Sequence, residues 1–191
     1  CAASGTDYVD LCGEPVWMRD MIDAHEAQAK ASGARIVFSC GFDSIPFDLG
    51  VLMLQTEMKT HFGQPANRVR GRVRKMKGTF SGGTAASMKA TMAAAAADPR
   101  VLGLLRDPFS LTPGSTGPPQ PHGAKPMLDN AVGAWVTPFV MAAINTRNVH
   151  RSNFLMKHAY GTDFVYDEMF ITGVGEKGEA IAKAMAADKS L

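Results

Sequence analysis

Cysteine is scarce: Cys1, Cys12 and Cys40 are the only three in 191 residues. They are too few and too scattered for a disulfide framework, and none sits in a C-x-x-C pair, so a cysteine zinc site is not expected. A reducing, cytoplasmic setting is the expectation that follows. No apolar run approaches the roughly 18 residues that a membrane-spanning helix needs, and no secretory apolar core is visible. Charge of one sign is not in excess. Twenty basic against eighteen acidic residues leave +2, which carries no whole-chain signal for nucleic acid or a membrane surface. His25, His61, His122, His150 and His158 show no metal-ligand spacing, and no metal site is expected. No Ser-His-Asp order, nucleophile elbow or internal repeat is present. An initiating methionine is missing too. Cys1-Ala2-Ala3-Ser4-Gly5 reads as a helix end closed by glycine, so the chain is expected to begin partway through a longer protein.

What is present begins with an ordinary 46% apolar content. Thr6 to Leu11 reads as a short strand, and Glu14-Pro15 opens a helix that Gly33 ends, with Met18, Met21, Ile22, His25 and Ala29 on one face. Ala34 to Cys40 is a second strand. Strand, helix and strand in this order make a βαβ unit, hence a parallel sheet with a right-handed crossover. Gly41-Phe42-Asp43-Ser44-Ile45-Pro46-Phe47-Asp48-Leu49-Gly50 follows. It is a strand end feeding a helix start, where ligands collect in α/β sheets. Ser44 is placed to cap, Pro46 suits the first turn and Asp48 complements the dipole. Ile45, Leu49, Leu52, Met53 and Thr56 then recur at helical spacing until Gly63 and Pro65.

Arg68 to Met76 alternates strictly and predicts a half-buried strand with Arg68, Arg70, Arg72 and Arg74 on one face. Gly78 to Thr84 reads as a flexible loop. An Ala-rich helix is expected over 84–98, and Asp98-Pro99 starts a shorter one. Residues 107–133 hold six prolines and little periodicity, which suggests a lid or binding loop. Thr137-Pro138 is expected to begin a helix through Met156. Asp163 to Thr172 reads as a strand, and Lys177 to Ala187 as an amphipathic helix.

Three segments then carry a resemblance: Gly5-Thr6-Asp7-Tyr8-Val9-Asp10 with Gly13-Glu14-Pro15, the segment from Gly41 to Gly50, and Gly78 to Thr84. The chain resembles bacterial saccharopine dehydrogenase-like oxidoreductases. The resemblance implies an α/β fold with an α+β second part: the end of a Rossmann-like parallel sheet, then a mixed, largely antiparallel sheet covered by helices. It places residues 1–50 at the close of a dinucleotide-binding domain, and residues 51–191 in a domain that shapes the substrate cleft or dimerises. It implies NAD or NADP as cofactor, hydride transfer with an imine, carbonyl or enoyl group of a small-molecule substrate, and little activity for this chain alone. The family's Gly-rich phosphate turn after the first strand is absent. Gly173-Val174-Gly175-Glu176-Lys177-Gly178 matches G-x-G-x-x-G but follows a late strand with no acidic partner downstream. Phe47 stands where relatives place a small residue and would narrow the mouth of the turn.

The candidate site residues follow. Asp43, Ser44 and Pro46 form the strand-end turn, where a carboxylate and a hydroxyl can orient a substrate; the plain alternative is an Asx-turn and a cap. Gly41 and Phe42 are the candidate cofactor contacts. Ser81, Thr84 and Lys89 could grip a carboxylate or phosphate at the next helix start; the alternative is a loop with Thr84 as N-cap. Tyr8, in the first strand, is a ring to stack on a cofactor or to pack in the core, and Glu14, after that strand, is a helix-start charge or a side chain facing the cleft. The Arg stripe is read as a solvated or cross-paired face, with Asp163, Asp167 and Glu168 as partners, rather than a nucleic-acid surface, because no aromatics interleave with it. A dimerising interaction module without its own catalysis is the alternative from another class.

Overall fold

The computed structural model describes residues 1–77 and 82–188. A single 3-10 turn, Ala2–Ser4, ends at Gly5 in the left-handed region (φ 69°). β1 (Tyr8–Val9) and β2 (Ile36–Val37) pair in parallel across α1 (Pro15–Ser32), which Gly33 stops at φ 78°. The βαβ unit is there, but its strands are two residues each rather than the six or seven expected. The reason is local. Beyond Val9 the Asp10 carboxylate takes the backbone N–H groups of Cys12 and Ser39, each at 2.9 Å. Ser39 itself turns left-handed (φ 56°), which ends the extended run of β2.

α2 (Ile45–Phe62) runs across the expected division at residue 50 and ends at Gly63, whose N–H bonds to the Lys59 carbonyl. Ser44 occupies the N-cap position without a side-chain cap hydrogen bond. The residues that recur at helical spacing do not form its buried side. Ile45, Leu49, Leu52 and Met53 are exposed, whereas Val51 and Gln55 are buried. This helix is apolar nearly all round, so periodicity alone does not choose the face.

β3 (Arg68–Val73), α3 (Gly82–Ala97) and α4 (Pro99–Arg106) follow, with Asp98 capping α4 by accepting from the Arg100 N–H. β4 (Met127–Asp129), β5 (Ala134–Pro138), α5 (Ala142–Leu155), β6 (Val165–Gly173) and α6 (Gly175–Ala187) complete the described chain. Thr137-Pro138 therefore closes a strand instead of opening a helix. Trp135 and Val136 pair with β6, and Pro138 sits at the strand end, where a missing N–H is tolerated.

The second sheet runs β3-β6-β5-β4, with β3–β6 parallel and the other pairs antiparallel. The fold is thus mixed α/β, a parallel pair followed by a mixed sheet, as the sequence implied. Alternation splits the larger sheet into two unlike faces. Val69, Tyr166 and Glu168 turn toward the helices, and Val69 and Tyr166 join Val51, Val149, Tyr160 and Phe164 in one core. Arg68, Arg70, Arg72, Asp167 and Met169 turn the other way. A second core, Met18, Ile22, Leu111 and Ile144, ties α1 to the segment after α4 and to α5. The proline-rich stretch is thus partly structural: Ser110 and Leu111 are fully buried, and β4 lies within it. Among the described residues, no helix is long and apolar enough to cross a membrane.

Candidate functional site

The two parallel strands deliver their C-terminal ends to one corner, and polar side chains lock it. Tyr8 donates to Asp10 at 3.0 Å, and the Ser39 hydroxyl donates to the Cys12 carbonyl at 2.6 Å. The Cys12 thiol donates to Glu14 at 3.0 Å. Burial, seconded by Glu14, pushes that thiol up to about 12, so it stays protonated and is no nucleophile. Bonds from Cys12 and from Ser87 of α3 hold the Glu14 carboxyl below its ordinary range. Glu14 therefore stands as a carboxylate where α3 meets the strand ends.

Gly41 is buried in the turn, and a Cβ there would sit 2.5 Å from Asp43 Oδ1. Phe42 is 90% exposed. Asp43 and Pro46 are exposed and Ser44 is buried. Phe47 packs on Phe139 with ring centroids 5.6 Å apart. Lys89 is exposed on α3, two residues past Ser87. Thr84 is in the first turn of α3, and its side chain, like all of Ser81, lies outside the described residues. The geometry brings Asp43, Ser44 and Pro46 together with Gly41 and Phe42 in one turn.

Behind that turn lies a group the sequence reading did not find. Asn145 of α5 donates to the Asp43 carbonyl (3.1 Å) and to Glu168 Oε2 (3.0 Å), while the Tyr166 hydroxyl donates to Glu168 Oε1 at 2.8 Å. Glu168 is 1% exposed, and burial pushes its carboxyl up to about 7. Ser152 donates to Asp48 at 2.9 Å, and burial raises Asp48 as well. Asp48 Oδ1, Asn145 Oδ1 and the Tyr160 hydroxyl are buried without a hydrogen-bond partner among the described residues. The signals were present: Asn145, Arg147, His150 and Asn153 all fall on one helix, and Gly71 interrupts an alternating strand. A Cβ at Gly71 would lie 2.8 Å from Glu168 Cγ and 2.9 Å from the Tyr166 oxygen, so glycine makes the room those side chains fill.

The other two histidine-and-arginine features are structural. Arg147 is buried and donates to the Leu105 carbonyl at 2.6 Å and to Ser110 Oγ at 3.0 Å, closing the end of α4. His150 is buried against Phe109 (ring centroids 4.6 Å), and burial pushes it down to about 4. The Gly173–Gly178 match is a turn: a Cβ on Gly178 would meet the Gly173 carbonyl oxygen at 2.3 Å. Among the described residues, no group of three or more His, Cys, Asp or Glu is placed to hold a metal ion.

A nicotinamide dinucleotide would need donors and positive potential for its pyrophosphate at a helix start. The starts of α1 and α2 are of the opposite character. α1 opens on Glu14 and Pro15, and α2 carries Pro46 and Asp48 in its first turn. A carboxylate repels the phosphates, and proline has no N–H to offer. These two helix starts therefore do not fit that part of the cofactor.

No protein-family pattern matches the chain, and no solved structure matches it. Curated relatives do match, among them three mycobacterial proteins. A Mycobacterium tuberculosis (strain H37Rv) protein, named provisionally as a trans-acting enoyl reductase, is 42% identical over 182 residues, 91% of this chain and 43% of its own length. The trans-acting enoyl reductase of Mycobacterium leprae is 37% identical over 91% of this chain and 44% of its own. That of Mycobacterium bovis (strain BCG) is 36% identical over 97% of this chain and 46% of its own. The chain thus spans less than half the length of the relatives it matches. Their names overturn the resemblance to saccharopine dehydrogenase. The segments that suggested it are what a βα corner requires, a glycine whose side-chain space Asp43 fills and helix starts with proline, and do not specify a substrate. On comparison, this chain is similar along nearly its whole length to proteins named trans-acting enoyl reductase.

Proposed function

We propose that this chain serves the reduction of an enoyl group on a small-molecule substrate. The observation that carries the reading is the similarity of 36–42% over 91–97% of the chain to relatives named for that reaction. The corner of Asp43, Ser44 and Pro46 supports it, because strand ends in α/β sheets are where ligands bind. In this reading the exposed Asp43 carboxylate orients the substrate at the mouth of the turn. Asn145 is a positioning residue, holding the Asp43 carbonyl from behind. Gly41 and Phe42 offer an apolar ring face beside it. The reductant in this reading is NADH or NADPH, whose phosphates are not assigned to the helix starts of α1 and α2.

The test mixes the chain with NADH or NADPH and a short 2-enoyl thioester and follows the nicotinamide absorbance. The expected result is oxidation that requires the double bond and falls about tenfold or more in Asp43→Asn, the loss of one charged contact. Oxidation at the same rate with the saturated thioester, or none with either nucleotide, overturns the reading.

A further inference from the structure

The open face of the larger sheet carries a groove of about 260 Å³ that the proposed reduction does not use. Arg68, Arg70 and Arg72 line one side, and Met127, Leu128 and Met169 supply an apolar wall. Alternate residues on a strand are about 6.6 Å apart, so the three guanidinium groups form a short row. Two carboxylates sit among them, and both are fully committed. Asp167 takes Arg68 on Oδ1 and Arg72 on Oδ2, the latter at 2.9 Å. Asp129 takes Arg72 on Oδ2 at 2.7 Å and the Ala131 N–H on Oδ1 at 2.9 Å. No oxygen of either is left over. Arg70 is exposed and has no ion pair among the described residues, and Arg68 Nε is buried without a partner. The groove therefore holds three positive charges against two negative, and Arg70 is left without a carboxylate in a groove that has an apolar wall.

We propose that this groove binds a single oxyanion, carboxylate or phosphate ester, carried on a short apolar chain, with Arg70 as its principal contact. The guanidinium fork matches both groups bidentately. The groove is smaller than a drug-sized pocket, which limits the chain to a few carbons. Charge and shape act together: one anion neutralises the row, and its chain covers Met127, Leu128 and Met169. The site lies on the face of β6 opposite Glu168 and is independent of the enoyl-reductase reading.

The test titrates the chain with hexyl phosphate, hexanoate, inorganic phosphate and hexanol, reading the methyl resonances of Met127 and Met169. Saturable shifts with hexyl phosphate or hexanoate are expected, and the tighter of the two identifies the anionic group. Hexanol is expected to leave both methyls unmoved. Arg70→Gln, an exposed substitution, should weaken binding about tenfold, and Arg70→Lys, which keeps charge but loses the fork, should weaken it less. Binding of hexanol as tight as that of its anionic counterparts, or unchanged affinity in Arg70→Gln, overturns the site. Inorganic phosphate binding as tightly as hexyl phosphate overturns the role of the apolar wall.

Discussion

Glu168 is a carboxyl held in an apolar shell by two donors, Tyr166 and Asn145. Its pKa in the folded chain rises from 4.5 to about 7, with burial the first cause. An acid whose folded pKa is raised adds stability below its unfolded pKa, and loses it as pH climbs through the folded value. The window here runs from 4.5 to about 7. A shift of this size corresponds to roughly 3 kcal/mol. His150 acts in the reverse sense: its folded pKa, lowered from 6.5 to about 4, gives stability above 6.5 that is lost in acid. Glu168→Gln removes only the first contribution. Urea unfolding at about pH 4 and about pH 8 should show the wild type losing roughly 2–3 kcal/mol relative to the variant over that interval. Parallel pH profiles for the two proteins would rule out a buried, protonatable Glu168.

At the scale of elements, β3 and β6 lie parallel over six register pairs, and Gly71 stands opposite Glu168. The approach works only because position 71 has no side chain. Gly71→Ala should cost about 2 kcal/mol, the usual penalty of overfilling a packed interior, seen as a lower urea midpoint at unchanged slope. An unchanged midpoint would mean the space beside Glu168 is looser than the geometry shows. These two strands were legible in the sequence because β3 alternates and β6 is rich in aromatic and branched residues. β5 was not, because Thr137-Pro138 has the local look of a helix start and only pairing with β6 decides otherwise. The inward face of α2 was not legible either, since leucine and methionine surround it. At the candidate site the turn from Gly41 to Pro46 could be read from its own residues. Its support could not: Asn145 is 102 positions from Asp43, and nothing local announces which face of β6 meets α5.

At the scale of the molecule, β1 and β2 are too short to stand alone, as isolated pairs of strands are marginal in water. The core of Met18, Ile22, Leu111 and Ile144 fastens them to the rest, aided by Arg19 to the Ser110 carbonyl at 2.9 Å and Arg151 to the Leu111 carbonyl at 2.8 Å. Trp17 lies on α1 and Trp135 on β5, one tryptophan in each part. Single-tryptophan variants, Trp135→Phe and Trp17→Phe, should therefore report one shared urea transition. Separated midpoints would show two units unfolding in turn. The neighbouring acids of β6 bear on how the chain finds this arrangement. Asp167 meets arginines and Glu168 meets Asn145 and tyrosine, on opposite sides of one strand. A slip of a single position would carry Glu168 among the guanidinium groups and bury Asp167 without its cations. Charge thus selects the alignment of β6 that greasy residues alone would leave to chance, and misaligned pairings are penalised on both surfaces at once.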